Sequence, residues 1–230
     1  MKSFLKLIID YHSFLISGLE VTILVSIATI VIGMILGTLL AVLKTGRNRL
    51  IRSVVSLYVE LVRGTPVLVI IAMVFYGLPL IGLKIPAIKF QAFTLDRMLS
   101  GILALSISCT AYICEIIRGG IESIDAGQTE AAVSLGFSRY KIFWVIIFPQ
   151  ALKNSLPALG NEFVDIIKAS SQVSIITLAD LMYMTNMIRS NSFRPFSPFV
   201  IAAILYLIMT NLVSLGVRST ERHYARKYHV

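Results

Sequence analysis

Uncharged apolar segments of membrane-crossing length constrain the fold of this chain more than any other feature. Residues 21–43 are 23 successive positions without Asp, Glu, Lys or Arg, and residues 195–217 form another such segment of 23. At 1.5 Å per residue in a helix, each is long enough to cross a hydrocarbon layer about 30 Å thick. Of the 230 residues, 57% are hydrophobic and only 14% are charged. The sequence therefore predicts an all-α integral membrane protein and not an ordinary soluble domain.

The apolar segments predict about five transmembrane helices in one domain that covers residues 1–230. The predicted spans are 17–43, 53–80, 98–117, 156–184 and 197–217. The loop after the first span holds four basic residues in nine positions, namely Lys44, Arg47, Arg49 and Arg52. Because basic residues are enriched in cytoplasmic loops, we expect this loop inside, the N-terminus outside and the C-terminus in the cytoplasm. The net charge of +9 is scattered over the loops, which favours contact with membrane lipid and not with nucleic acid.

The second predicted span is interrupted by polar residues and two helix breakers. Arg63 is followed directly by Gly64, Thr65 and Pro66. Pro removes a backbone donor and clashes with the preceding turn, so a broken helix is predicted here, with Thr65 capping a second half that begins at Pro66. Since broken helices often surround transporter binding sites, Arg63 and Thr65 are candidate residues of a substrate pathway. The alternative is a helix entry stabilised by an ion pair between Glu60 and Arg63.

The fourth predicted span carries polar and charged residues in a segment of membrane length. They are Asn161, Glu162, Asp165, Lys168 and Asp180. Intramembrane charges cost several kcal/mol unless they are paired or face a cavity, so the first four are further candidates for a substrate pathway. The spacing places Glu162, Asp165 and Lys168 on one side of a helix. The alternative is a structural ion pair between Asp165 and Lys168, which are three residues apart. The two cysteines and three histidines are too dispersed to predict a metal site.

The segment 118–155, between the third and fourth spans, is predicted to be a cytoplasmic loop with its own helices. Residues 129–149 read TEAAVSLGFSRYKIFWVIIFP. Glu130, Ala131 and Ala132 begin a helix that should end at Gly136, since Gly readily adopts the left-handed conformation that closes a helix. Ser138 is then the expected cap of a second helix, which Pro149 limits.

This spacing resembles the EAA loop of binding-protein-dependent ABC importer permeases. Gly136, Ile146 and Pro149 follow Glu130 by six, sixteen and nineteen residues. The pattern departs at Phe148, where the family usually has Leu, but an apolar contact is kept. Three other stretches are similar to the polar amino acid subclass: GLEVTILVSIATIVIGMILG in the first span, YVELVRGTP in the second, and Asn161-Glu162 followed by Lys168.

The resemblance implies an ABC type I importer permease core in a bacterial cell membrane. It further implies a second permease copy or a sister subunit, a dimer of cytoplasmic ABC ATPases and an extracytoplasmic solute-binding protein that delivers the amino acid. The ATPase would contact Glu130, Ala131, Ala132, Gly136, Ile146 and Pro149. The chain lacks the G-x-x-x-x-G-K-[ST] loop that holds nucleotide phosphates, so we expect no enzyme activity and no cofactor in this chain, with ATP-Mg used by the partner.

One departure bears on the substrate. In the amino acid subclass the residue after the Lys is commonly Asp, whereas here it is Ala169. One carboxylate that a cationic substrate would need is missing, so an uncharged or acidic polar amino acid, or cystine, is expected in preference to arginine or lysine. An ion-coupled secondary transporter is the alternative, since it would also explain charged and broken spans. It would not need the EAA loop, and no inverted repeat is evident.

Overall fold

The computed structural model describes residues 2–46, 48–90 and 93–227, and the side chains of residues 4–220 within those ranges. Arg47 of the basic loop and the side chains of Arg222, Arg226 and Lys227 in the tail lie outside this description. The described part of the chain is helical, apart from its connections and one isolated bridge between Lys89 and Thr94. The α-helices are α1 Lys2–Asp10, α2 His12–Thr45, α3 Arg49–Arg63, α4 Val67–Leu80, α5 Leu95–Glu122, α6 Ala126–Ser134, α7 Arg139–Ile142, α8 Phe148–Ala169, α9 Leu181–Ser192 and α10 Ser197–Lys227.

Four helical stretches in the described chain are long and apolar enough to cross a membrane, and a fifth crossing arises if the bent pair α3 and α4 is counted as one. The four are His12–Thr45, Leu95–Glu122, Arg139–Ile176 and Ser197–Thr220. The all-α membrane fold predicted from the sequence is therefore confirmed. The helices α2 and α5 extend beyond the predicted spans 17–43 and 98–117 at both ends, because charged residues near a span end do not stop a helix.

The closest packing in the bundle joins α2 to α5. Gly33 lies against Cys109, and a Cβ placed on Gly37 would be 2.7 Å from the Cγ2 atom of Ile113. Small residues four apart on one face let two helix backbones approach this closely. Both cysteines of α5 are fully buried and unpaired. Around them, apolar side chains from α2, α3, α5 and α8 form one continuous core.

The second predicted span is broken at the expected place, where α4 is bent by 105° relative to α3. One detail differs from the prediction, and the alternative ion pair between Glu60 and Arg63 is not formed within this described helix. Thr65 does not cap α4: its hydroxyl donates to the carbonyl of Leu61 at 2.8 Å, and the position before α4 is taken by Pro66, which has no capping side chain. Arg63 pairs with no residue of its own helix and instead reaches toward Glu115 of α5.

The fourth predicted span, 156–184, is not one helix. The α-helix α8 ends at Ala169, a 3-10 turn covers Ser170–Ile176, and Thr177 adopts a left-handed conformation with φ of 58°. Asp180 then caps a new helix, α9, by accepting from the backbone N–H groups of Met182 and Tyr183 at 3.1 and 3.0 Å. Asp180 is thus a buried capping residue, which explains one of the five polar residues in this segment without a role in transport.

Candidate functional site

A helical hairpin links α5 to α8 and contains the EAA sequence. We call α6, α7 and the turn between them the EAA hairpin, residues 126–142. Asp125 begins it by accepting from the N–H of Gly127 at 2.8 Å, and Ser138 caps α7 by accepting from Lys141 N–H at 3.4 Å. Between the helices, Gly136 has a φ of 78°, and the N–H of Phe137 bonds back to the carbonyl of Ala132 at 3.1 Å. These bonds are those of a glycine-terminated helix.

One face of the hairpin packs on the rest of the chain and the other is exposed. Ala132 and Ile142 are buried together with Ile147 and contact the end of α5. Glu130 and Ala131 lie on the exposed side. Beside them Val133, Leu135 and Tyr140 are 54%, 77% and 76% exposed. A carboxylate surrounded by exposed apolar side chains is typical of a surface that contacts another protein.

The hairpin continues into α8 without a stop at Pro149, which corrects the predicted end of its second helix. A π-helical turn at Phe143–Ile147 precedes the proline, and the N–H of Phe148 bonds to the carbonyl of Phe143 five residues back. Pro149 lies in the first turn of α8, where its missing N–H is tolerated, and the side chain of Gln150 donates to the carbonyl of Ile146 at 2.8 Å. The widened turn accommodates the proline inside a continuous helical stretch.

Farther along α8, three of the predicted pathway residues form a polar stripe. Asn161, Asp165 and Lys168 are all exposed, at the four- and three-residue spacing of one helix face. Lys168 Nζ is 3.2 Å from Asp165 Oδ1, so the two charges pair. The ion pair that the sequence offered as an alternative is therefore present, although it lies on the exposed stripe and not in the core.

Glu162 is separated from this stripe. It is 9% exposed and makes no hydrogen bond or ion pair within the described part of the chain. The structure thus divides the predicted set: Asp165 and Lys168 are together on the exposed stripe, whereas Glu162 is buried.

The sequence analysis did not single out Glu115, which is the only acidic residue of the predicted span 98–117. Its carboxylate accepts from Lys44 Nζ of α2 at 2.6 Å and from Arg118 Nη2 at 2.9 Å, and Arg63 Nη1 of α3 lies 3.8 Å away. The side chain is only 17% exposed. A carboxylate inside a predicted span was the available signal, because such a residue is rare without a partner. The four side chains tie α2, α3 and α5 together near one end of the bundle.

A bundle of apolar helices with one broken pass, polar side chains on another and a hairpin projecting from its end defines a membrane permease subunit. Comparison with known proteins gives the family. The chain belongs to the binding-protein-dependent transport system inner membrane components, whose pattern matches residues 19–225. The resemblance carried by the EAA sequence is thereby confirmed, and the chain is a multi-pass membrane protein.

Individual relatives align over nearly the whole chain. A putative glutamine transport system permease protein of Rickettsia felis is 34% identical, covering 91% of this chain and 92% of the relative. The arginine transport system permease protein of Bacillus subtilis is 33% identical, covering 91% of each chain. Among solved structures, an amino acid ABC transporter crystallised with histidines matches with a TM-score of 0.85 and 39% identity, covering 96% of this chain and 98% of that one.

Proposed function

We propose that this chain is the permease subunit of an ATP-driven importer for a polar amino acid. An extracytoplasmic solute-binding protein delivers the substrate, and a dimer of cytoplasmic ATPases powers the cycle with ATP-Mg. This chain binds no nucleotide itself. A second copy of the chain, or a sister subunit, completes the pathway. The relatives named for glutamine and arginine transport support the substrate class.

The observation that carries the proposal is the continuity between the EAA hairpin and the polar stripe. The stretch Arg139–Ile176 runs from α7 through the π-helical turn into α8 as one apolar stretch of membrane-crossing length. Its beginning belongs to the exposed hairpin, and Asn161, Asp165 and Lys168 lie near its other end. A force applied by an ATPase to Glu130 and its apolar neighbours would reach the pathway through this helix. Coupling of this kind needs a rigid element that both sites bias.

Within this class, we propose an uncharged or acidic polar amino acid, or cystine, as the substrate. Ala169 leaves the position after Lys168 without a carboxylate. Asp165 is already paired with Lys168, so it has less negative charge to offer a cationic side chain. A buried cation without a partner is costly, which disfavours arginine and lysine.

The test is uptake into vesicles that contain the chain together with its ATPase, the second permease subunit and the binding protein. We expect glutamine uptake that requires ATP and that glutamate or cystine inhibits better than arginine or lysine does. Uptake driven by an ion gradient without the ATPase would contradict the importer. Arginine as the preferred substrate would contradict the proposed specificity and leave the importer intact.

A further inference from the structure

The last turns of α5 connect the EAA hairpin to two other helices. Ile121, near the end of α5, packs against the buried side of the hairpin. Fewer than two turns before it, the carboxylate of Glu115 contacts Lys44 at the end of α2 and Arg63 at the end of α3. Because an α-helix is stiff over so short a distance, a displacement of the hairpin would move the Glu115 carboxylate with it.

The three cations around Glu115 are bound unequally. Its Oε1 atom accepts from Lys44 Nζ at 2.6 Å, and its Oε2 atom accepts from Nε and Nη2 of Arg118 at 3.1 and 2.9 Å. Arg63 Nη1 lies 3.8 Å from Oε2, a distance that is within reach of an ion pair but too long for a hydrogen bond. The side chain of Arg63 is also the most exposed of the three, at 45%. Arg63 is therefore the partner that can approach or leave Glu115 with the least loss of bonding.

The helices that carry these cations differ in the same way. Gly33 and Gly37 bring α2 so close to α5 that the two helices must move as one body. On α3, the hydroxyl of Tyr58 donates to a carbonyl of α5 at 2.7 Å and fixes the middle of the helix. The end of α3 beyond Tyr58 carries Arg63 and meets the bend at Gly64. This end is free to shift because a bend absorbs changes in backbone angles.

We propose that Glu115 is a positioning residue for transport, which transmits displacement of the EAA hairpin through α5 to Arg63 and thereby to the bend between α3 and α4. This route lies beside the one through α8 and ends at the broken helix instead of the polar stripe. It rests on the proposed function, since only a hairpin driven by an ATPase has a displacement to transmit. Lys44 and Arg118 hold the carboxylate in place, and the contact with Arg63 is the one that changes during the cycle.

The first measurement is the number of amino acid molecules taken up per ATP hydrolysed by vesicles with the complete transport system. The probe is whichever of glutamine, glutamate, cystine and arginine the wild type takes up fastest. Arg63→Gln should lower the ratio about fivefold or more, the lower end of coupling between sites. Glu115→Gln should lower it to a similar extent. The double variant should be no worse than either single variant, because both remove the same contact.

Lys44→Gln is the matched control that separates coupling from stability. It removes the shortest ion pair of Glu115, so the melting temperature of the complex should fall, while the ratio should stay unchanged because the glycine contact still holds α2 on α5. Arg63→Gln should show the reverse, a small change in melting temperature and a lower ratio. The apparent KM for the amino acid should be unchanged in Arg63→Gln, whereas loss of a residue that binds the substrate would raise it.

Spin labels measure the proposed motion directly. Leu61→Cys on α3 and Leu39→Cys on α2 are each combined with Leu103→Cys on α5, and all three parent side chains are exposed. Between the nucleotide-free complex and the complex trapped with ATP and vanadate, the distance from 61 to 103 should shift by about 2 Å, the scale of helix shifts in switching proteins. The distance from 39 to 103 should not. Glu115→Gln should reduce the first shift.

The outcomes that overturn the route through Glu115 are distinct from failure of the importer. A wild-type ratio in an assembled Arg63→Gln complex overturns it, even where Glu115→Gln does not assemble. Losses that multiply in the double variant, an altered KM with an unaltered ratio, or a distance from 61 to 103 that is the same in both states also overturn it. Absence of ATP-driven uptake by the complete wild-type system contradicts the proposed function itself.

Discussion

At the scale of single residues, the charged groups of this chain differ in how much their ion pairs contribute to stability. The exposed pair of Asp165 and Lys168 contributes little to stability, since water screens it and two flexible side chains must be ordered. Glu115 is different because its carboxylate is mostly buried and has three cationic neighbours on α2, α3 and α5. Removing it would leave those cations unneutralised, which usually costs more than the pair itself contributes.

Gly136 supports a prediction at this scale, because its φ of 78° is unfavourable for residues with a Cβ. Gly136→Asp adds about 1 kcal/mol of local strain and a carboxylate at the turn of the EAA hairpin. We expect normal membrane insertion, since apolar helices drive that step, but weaker retention of the ATPase and reduced uptake. Co-purification of the ATPase and vesicle uptake measure this. Gly119→Ala, in a helix with open space around the added methyl group, is the control. Normal insertion together with wild-type transport would show that the hairpin does not couple.

At the scale of elements, the bend between α3 and α4 and the contact between α2 and α5 shape the bundle. The bend places the end of α3 beside α5, so that Arg63 reaches the Glu115 carboxylate. The contact brings two helix backbones close enough that no side chain fits between them at Gly33 and Gly37. The first feature concerns function and the second stability.

The bend yields a prediction about function. Gly64→Ala combined with Pro66→Ala should favour a straighter helix, because Pro and Gly disfavour helix interiors by about 3 and 1 kcal/mol relative to Ala. We expect an assembled complex that transports less. Spin labels at Leu57 and Met73, both exposed, should report a longer distance than in the parent. Since Cys109 and Cys114 are fully buried, they should not take up label. An unchanged distance and unchanged uptake would mean that the 105° bend forms without Gly64 and Pro66. A longer distance with full transport would mean that transport does not need the bend.

The contact between α2 and α5 yields a prediction about stability. An added methyl group at Gly37 would be 2.7 Å from Ile113 and 3.0 Å from the carbonyl oxygen of Thr110. Overpacking of this kind costs about 1–3 kcal/mol, so Gly37→Ala should lower the thermal stability of the purified complex. Gly77→Ala, with no atom within 4 Å of the new Cβ, should not. Equal melting temperatures for the two variants would contradict the packing.

At the scale of the whole molecule, one chain leaves a polar stripe exposed on a membrane-length helix. Facing lipid, Asp165 and Lys168 would be costly. We therefore expect the stripe to face an aqueous pathway shared with the second permease subunit. The orientation of the bundle decides which end receives the substrate, and the basic loop after α2 predicts an external N-terminus.

That orientation is tested by labelling single cysteines with a membrane-impermeant maleimide. Leu83→Cys, in the loop between α4 and α5, should react in intact cells or spheroplasts. Tyr140→Cys, on the EAA hairpin, should react only after the membrane is opened. Both parent side chains are well exposed, and the native cysteines are buried, so the background is low. Reaction of Tyr140→Cys from outside would reverse the predicted topology.

The features that the sequence determined by itself are encoded within short stretches of chain. Uncharged length defines membrane helices, Gly64 and Pro66 disfavour a continuous helix through their own backbones, and Gly136 ends α6 through its own backbone freedom. The family could be recognised from the sequence because the EAA spacing also lies within a short stretch of chain. Two predictions from local sequence were wrong. A π-helical turn accommodates Pro149 within a continuous helical stretch, and Asp180 begins a new helix where one long span was expected.

The tertiary structure alone decided which charges meet. Lys44 and Glu115 are 71 positions apart, and no pattern of nearby residues specifies that pair, which depends on how α2 packs against α5. The same holds for Arg63, whose nearest sequence partner was Glu60 but whose side chain turns to α5 across the bend. Helical spacing placed Glu162 with Asp165 and Lys168, yet burial against neighbouring helices separated it from them. Which charged side chains pair depends on packing between elements that are distant in sequence, so these contacts in the permease could be determined only from the tertiary structure.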